Sequence, residues 1–292
     1  MKELKDRVAV VTGGASGIGL AMARRFGREG MKLVVADIER AALEEAAAGL
    51  EADGAEVLAV ATDVSDAEQM DALGAKTLER FGAVHVLCNN AGVGASGRVW
   101  ELTLADWQFT LGANLWGVIH GLRVFTKHLI EQGEGHIVNT ASMAGMISMP
   151  GVAPYNVSKF GVVTLSETLF GELRGIDSPV GVSVLCPSFV DTRIHESGRN
   201  RPDALQNPED EHRTEEQKAS AAAATKMMGQ VLKAGLTPEE VADRVHDAIV
   251  EQRFYILTHA GTEQLVAQRA QRIAAGEDPV VPEMAVLMGR RG

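Results

Sequence analysis

The sequence predicts one α/β domain built on a parallel sheet with helices on both faces. Three observations lead there. Apolar runs at Val8–Val11, Lys32–Ala36, Glu56–Thr62, Val84–Asn89, His136–Thr140 and Gly181–Cys186 are nearly continuous, as strands covered on both faces must be. Amphipathic stretches of helical period separate them, so each strand is followed by a crossover helix rather than a hairpin. The first run leads directly into a glycine-rich turn and then a helical pattern. At 292 residues one such sheet can bury an ample core without a second domain. No repeat, low-complexity tract or proline-rich linker interrupts the first six strands.

Taken in order, the first strand ends in Thr12-Gly13-Gly14-Ala15-Ser16-Gly17-Ile18-Gly19. Glycines at 13, 17 and 19 allow positive φ and close backbone approach, so amide groups and a helix N-terminus can receive a pyrophosphate. The spacing is G-x-x-x-G-x-G, and the strand–turn–helix context is what such a motif requires. The second strand ends at Asp37, about 20 residues past the turn, where a carboxylate can accept hydrogen bonds from an adenosine ribose and repel a 2′-phosphate. NAD is therefore expected over NADP. A basic partner for a phosphate stays open, because Arg40 follows Asp37 and Arg24 and Arg25 lie on the preceding helix.

Composition excludes several classes. A net charge of −11 argues against a nucleic-acid surface. No apolar run reaches the ~18 residues of a membrane span, and Met1–Arg7 lacks the apolar core of a signal peptide, so a cytoplasmic protein is expected. Cys88 and Cys186 both fall in buried strands and read as packing residues. No His, Cys and carboxylate cluster has metal-ligand spacing, and no metal is expected.

Chemistry is concentrated in Tyr155-Asn156-Val157-Ser158-Lys159. Residues four apart share a helix face, so the Lys159 ammonium can approach the Tyr155 phenol. A cation there favours the phenolate over a phenol whose ordinary pKa is about 10, which would fit Tyr155 for proton transfer.

Together, Thr12–Gly19, Asn89-Asn90-Ala91-Gly92, Asn114, Ser142, Tyr155-x-x-x-Lys159 and Pro187 resemble the short-chain dehydrogenase/reductase family in order and spacing. The resemblance covers residues 6 to 260. It implies a Rossmann-type sheet of about seven parallel strands, a nicotinamide cofactor and a catalytic tetrad of Asn114, Ser142, Tyr155 and Lys159. It also implies a homotetramer or dimer built on long helices around residues 103–131 and 153–177. In that pattern Tyr155 is the base, Lys159 also meets the nicotinamide ribose, and Ser142 holds the substrate oxygen. Asn114 anchors a water in a proton relay, at a helical position suited to a backbone distortion. Gly13, Ser16, Gly17, Ile18 and Gly19 would hold the diphosphate; Asp37 and Ile38 the adenosine ribose, with Asn90, Ala91 and Gly92 beside that same ribose; and Asp63 and Val64 the adenine. Pro187, Val190 and Thr192 would hold the carboxamide, although Ser188 replaces the usual glycine of that loop.

The domain is expected to end near residue 260, with a substrate lid at about 192–237 and a helical extension at 261–292. Between His195 and Gln217 the chain is charged and punctuated by Gly198, Pro202 and Pro208, which reads as a solvated loop. Ala219–Leu232 reads as a short amphipathic, Met-bearing helix. Met143, Met146, Met149, Val152 and Phe189 form a candidate apolar wall near Ser142, with His195 beside it. Ile194–Pro202 and Gly135–Ser142 further resemble the Cα-dehydrogenases that oxidise benzylic alcohols of lignin-derived aryl ethers. The expected activity is thus NAD-dependent interconversion of a bulky or aryl secondary alcohol and its ketone. The alternatives are an NADPH-dependent ketoreductase or hydroxysteroid-type dehydrogenase and, in another class, a noncatalytic dinucleotide-binding sensor or interaction protein.

Overall fold

The computed structural model describes residues 3–207 and 215–279. Seven parallel strands run in the order β3-β2-β1-β4-β5-β6-β7. They are β1 Val8–Thr12, β2 Lys32–Asp37, β3 Val57–Ala61, β4 Val86–Asn89, β5 His136–Thr140, β6 Gly181–Cys186 and β7 Tyr255–Leu257. The helices are α1 Gly17–Arg28, α2 Arg40–Ala52, α3 Ala67–Phe81, α4 Leu104–Leu111, α5 Gly117–Gln132, α6 Ala153–Gly175, α7 Glu215–Lys233, α8 Pro238–Glu251 and α9 Thr262–Ala275. The fold is the single-domain Rossmann-type sheet that the sequence predicts. Its seventh strand, which no apolar run announced, is three residues long.

Alternate residues of the central strands feed two cores. Ala9, Val11, Leu33 and Val35 pack with Met22, Phe26, Val245 and Ile249 of α1 and α8, whereas Val8, Val10, Val34 and Leu87 pack with Phe125, Leu129 and Leu173 of α5 and α6. This two-sided burial explains why the strands read as unbroken apolar runs. Cys88 and Cys186 are free and fully buried within these layers, and burial raises both thiols.

Strand order reverses between β1 and β4, and a cleft opens at the carboxyl ends of the strands there, the position at which such sheets bind ligands. Helix starts around the cleft differ in their capping. Asp66 caps α3, and reciprocal Thr103–Asp106 and Thr237–Glu240 boxes close the starts of α4 and α8. The N-terminus of α1 has neither a capping side chain nor an acidic residue in its first turn, which leaves its amides facing the cleft receptive to an anion.

The expected lid is partly helical. Ile194–Asn200 and Asp203–Leu205 form 3₁₀ turns, where the sequence predicted an irregular solvated loop, and α7 begins four residues before the predicted helix, at Glu215. Residues 208–214 of the lid lie outside the described residues. In the expected extension, α9 packs on the same chain: Leu265 joins the core cluster of Met143 and Phe189, and Arg269 lies 4.9 Å over the Phe160 ring. Residues 280–292 lie outside the described residues.

Candidate active site

The cleft has a volume of about 1340 Å³. Its floor is built from the turn after β1. Gly13 has φ of +62°, and a β-carbon there would stand 2.8 Å from the Ala91 Cα; one on Gly19 would stand 2.0 Å from the Gly13 carbonyl oxygen. The turn therefore closes only with glycine at both positions. Gly13, Ser16, Gly17 and Ile18 line the cleft, while Gly19 is buried beneath them as a packing position rather than a lining one. Asn90 fastens this turn to β5: its Nδ2 donates to the Thr12 carbonyl at 3.1 Å, and its Oδ1 accepts from Thr140 Oγ1 at 3.3 Å.

At the end of β2 the Asp37 carboxylate accepts the Ala15 and Glu39 amides, each at 3.0 Å. Burial raises its pKa, and those amides oppose the rise. Ile38, Asp63, Val64, Asn90, Ala91 and Gly92 continue the lining, as do Pro187, Val190 and Thr192, the last standing 3.1 Å from where a β-carbon on Gly17 would be. The Asp63 carboxylate also accepts from the Ser65 amide and hydroxyl, at 2.9 and 2.7 Å. The residues present fit an extended dinucleotide: a glycine cradle at an uncapped helix start, a carboxylate at the tip of β2, and a long cleft joining them to Ser142 and Tyr155.

Ser142 follows β5 and caps the 3₁₀ turn Met143–Gly145, its hydroxyl donating to the Pro187 carbonyl at 3.3 Å and accepting the Ala144 amide at 3.1 Å. Tyr155 and Lys159 stand one turn apart on α6 and line the same cleft. Lys159 Nζ donates to the Thr140 carbonyl at 2.8 Å and lies 5.5 Å from the centre of the Tyr155 ring. The expectation that Lys159 depresses the Tyr155 phenol is corrected here. Burial pushes the phenol up against a hydrogen bond with Ser142, and burial pushes Lys159 down to about 8. Desolvation of both groups, with the ammonium turned to a strand carbonyl, outweighs their mutual attraction.

Asn114 sits in a five-residue π turn, Gly112–Trp116, between α4 and α5. Such a widened turn is the backbone distortion expected at this position. Its side chain, however, is engaged within the protein. Oδ1 accepts the Val93 amide at 2.7 Å, while Nδ2 donates to the Val93 carbonyl at 2.9 Å and to Ser158 Oγ at 3.1 Å. Both carboxamide protons are thereby committed, so the side chain holds the segment after β4 against α6. Asn114 Oδ1 and Lys159 Nζ both flank Gly92, at 3.2 and 3.6 Å from where a β-carbon would stand.

Of the expected apolar wall, Met143, Met149, Val152 and Phe189 line the cleft, as does His195. Met146 does not. It is buried in the core behind the wall, because the 3₁₀ turn carries it away from Ser142 toward Val162 and Leu265. His195 packs on α7, where a β-carbon on Gly229 would meet its Nε2 at 2.7 Å. Phe109, Leu205, Met228 and Leu232 add apolar surface to the cleft, and Glu39, Arg199 and Asn200 line it as well. Met228 and Leu232 fall on the helix expected at 219–232, and Arg199 and Asn200 in the 194–202 stretch that carries the narrower resemblance. Sequence reasoning missed Phe109, Leu205 and Glu39 as cleft residues, since none of the three carries a local motif and only the fold brings them there. Among the described residues no cluster has the makings of a metal site, and no helix is long and apolar enough to cross a membrane.

Comparison with known proteins bears on this arrangement. The family model for the short chain dehydrogenase matches residues 7–203. A CLA biosynthesis dehydrogenase/reductase of Lactiplantibacillus plantarum is 33% identical over 289 residues, covering 99% of this chain and 100% of that protein. The C alpha-dehydrogenase of Sphingobium sp. (strain NBRC 103272 / SYK-6) is 32% identical over 285 residues, covering 97% and 89%. A crystal structure of a short chain dehydrogenase/reductase from Burkholderia phymatum in complex with NAD superposes with a TM-score of 0.91 at 44% identity, covering 97% of this chain and 99% of that one. Agreement of fold, cleft and end-to-end similarity leads to one conclusion: this chain belongs to the short-chain dehydrogenase family, whose members are oxidoreductases acting on CH–OH groups.

Proposed function

We propose that the protein interconverts a bulky, aryl secondary alcohol and its ketone with NAD as the coenzyme. The observation that carries this reading is the convergence of Ser142, Tyr155 and Lys159 on one wall of a cleft whose far end presents Asp37. NAD, when bound, supplies the hydride acceptor. Every other requirement falls to the chain. In the oxidative direction a base must take the hydroxyl proton, and Tyr155, which lines the cleft with its phenol against Ser142, is the group placed to take it. Ser142 Oγ, held in place by the Ala144 amide it accepts, turns its one proton from the Pro187 carbonyl to the same substrate oxygen and orients it. The Lys159 ammonium stabilises negative charge on the phenol oxygen as it forms. Asn114 acts as a positioning residue that keeps Val93 and Ser158 in register around them.

Asp37 supports NAD because a half-buried carboxylate disfavours a second negative charge beside it. Met143, Met149, Val152, Phe189, Phe109 and Met228 support a large apolar substrate, and similarity to the C alpha-dehydrogenase supports an aryl carbinol. Exposed Trp116 and Val157 at the starts of α5 and α6 support self-association, as a tetramer or dimer, through those helices. A noncatalytic sensor is disfavoured by the complete Ser142, Tyr155 and Lys159 set. The test is reduced-nicotinamide absorbance with NAD and a panel of benzylic, steroidal and small secondary alcohols. The benzylic carbinols are expected to turn over fastest. No turnover on any alcohol, together with no NADH binding by calorimetry, overturns the reading.

A further inference from the structure

At the adenosine end of the cleft, one ion pair joins segments 160 positions apart in sequence. Arg199, in the 3₁₀ turn after β6, donates from Nη2 to Glu39 Oε1 at 2.7 Å and from Nε to both Glu39 oxygens at 3.1 and 3.3 Å. Asn200 Nδ2 adds a bond to the same Oε1 at 3.0 Å. The Arg199 Nη1 donates to the Arg193 carbonyl at 3.3 Å, which fixes the guanidinium on its own turn. Glu39 is two residues past Asp37 and donates its amide to the Asp37 carboxylate. Asp37, Glu39, Arg199 and Asn200 all face the cleft.

The other basic residues that the sequence offered to a 2′-phosphate stand elsewhere. Arg25 pairs with Glu29 and with Asp243, and Arg24 lines a smaller depression beside α1 and α8 that adjoins the cleft at Ser16, Gly17, Thr192 and Arg193, away from Asp37. Arg40 opens α2 and does not line the cleft. Arg193 also lines the cleft and lowers the Glu39 pKa by its charge, but Arg199 is the guanidinium hydrogen-bonded at the tip of β2, where Glu39, two residues past Asp37, occupies its planar fork.

We propose that Glu39 is a second coenzyme-selectivity residue, acting through Arg199: it takes up the guanidinium that a dinucleotide phosphorylated on its adenosine ribose would need. This rests on the reading of the cleft as a dinucleotide site. A guanidinium fork that already holds a carboxylate has no fork left for a phosphate, and the pair is neutral as a unit. Asp37 then rejects the phosphate by its own charge while Glu39 withholds the compensating one. Glu39 also fastens the turn at 194–200 across the cleft.

The experiment is calorimetric binding of NAD and NADP to the full chain and to Glu39→Gln, Glu39→Ser, Arg199→Gln and the double variant Glu39→Gln/Arg199→Gln. Either Glu39 variant is expected to improve NADP relative to NAD by about 10- to 100-fold, the worth of one or two charge-assisted hydrogen bonds. Arg199→Gln should give no such gain, and the double variant should lose the gain of Glu39→Gln. An unchanged preference in both Glu39 variants overturns the proposal. So does a double variant that keeps the full gain, since Glu39 would then act by simple repulsion. Either result with NAD still bound leaves the dinucleotide reading standing, whereas an unmutated chain that binds neither coenzyme removes that reading itself.

Discussion

At the floor of the cleft, reactive side chains are held largely by backbone atoms of buried strands and turns: Lys159 by the Thr140 carbonyl, Ser142 by the Pro187 carbonyl, Asn114 by both backbone groups of Val93. Across the roof, residues 194–207 are held mainly by side chains meeting side chains. Arg199 grips Glu39, and Arg201 donates to Asp106 at 2.7 Å while lying 5.6 Å over the Phe109 ring. Thr140 ends β5 and Pro187 directly follows β6, so the floor is tied to the sheet, whereas the roof is tied by ion pairs that involve no strand. The proposed chemistry sits on the part tied to the sheet, and selectivity on the part tied by side chains.

The sharpest way to break that comparison is to remove one oxygen from the floor. Tyr155→Phe should lower kcat by on the order of 10²–10⁴-fold while NADH affinity holds, because only proton transfer is lost. The pH profile is part of the same test. Since burial holds the phenol above its ordinary value, alcohol oxidation, which needs it deprotonated, should rise with pH through the alkaline range. Ketone reduction, which needs it protonated, should fall there. Near-normal turnover in the variant, or flat profiles in both directions, would place the proton transfer on another group.

A cut in the roof should cost less. Asp106 and Arg201 are 10% and 12% exposed, so Asp106→Ala leaves a nearly buried guanidinium without its carboxylate, a loss of roughly 3–5 kcal/mol where burial is complete. Part of that loss should appear as an opened roof, with kcat/KM down at least about tenfold and faster proteolysis near residues 194–207. Acid should imitate the variant. Burial works to raise Asp106, but bonds from Thr103, Arg201 and Asn207 prevail and hold it below the usual carboxylate range. A group with a depressed pKa contributes fully above its unfolded value, and its contribution is lost as pH falls through the folded value. Unchanged proteolysis and kinetics in Asp106→Ala would mean that the Glu39 bonds to Arg199 and Asn200 and the bonds of Ser197 to the Gly94 backbone hold the roof without it.

The floor also carries a cost that can be measured without any substrate. Lys159 is buried and titrates at about 8, below its ordinary value of about 10.4. The unfolded chain therefore binds the proton more tightly, and the penalty is full below pH 8 and gone above the ordinary lysine value. Lys159→Met should raise Tm at neutral pH by roughly 2–4 °C for each kcal/mol relieved, and the gain should shrink as pH climbs from 8 to about 10.4. A variant less stable than the parent at pH 7 would show that the bond to Thr140 outweighs desolvation.

How much of this was legible divides along the same line. Six strands were readable because both faces of the sheet are covered, and β7 was not because it is three residues long with Tyr255 exposed. The glycine turn, Asp37 and the Tyr155–Lys159 step are local patterns, and the fold brings them to one cleft. The π turn at Asn114 entered through the family resemblance, not through any periodicity of its own. The roof read as solvated loop because past Ile194 its only aliphatic residues are Ala204 and Leu205, yet Arg199 and Arg201 give it order through partners that sequence distance conceals. Lys159 was expected to act on Tyr155 by charge alone, since spacing reports proximity but not burial.

The finest distinction concerns Met146 and Met149, three residues apart and alike in sequence. Met149 lines the cleft and Met146 is sealed in the core. Truncating Met146 to Ala should leave a cavity and lower stability by roughly 2–5 kcal/mol, with little change in the ratio of kcat/KM between large and small alcohols. Truncating Met149 should do the reverse. It leaves stability nearly intact and removes two or three methylene-sized contacts from a large substrate, each worth about 0.8 kcal/mol when fully buried. Partial exposure reduces that worth, so selectivity for bulky aryl carbinols over small secondary alcohols should fall several-fold through KM. If Met146→Ala alters selectivity and Met149→Ala does not, the substrate reaches behind the 3₁₀ turn, and the wall that separates the cleft from the core lies one layer deeper than the packing of Met143 and Phe189 indicates.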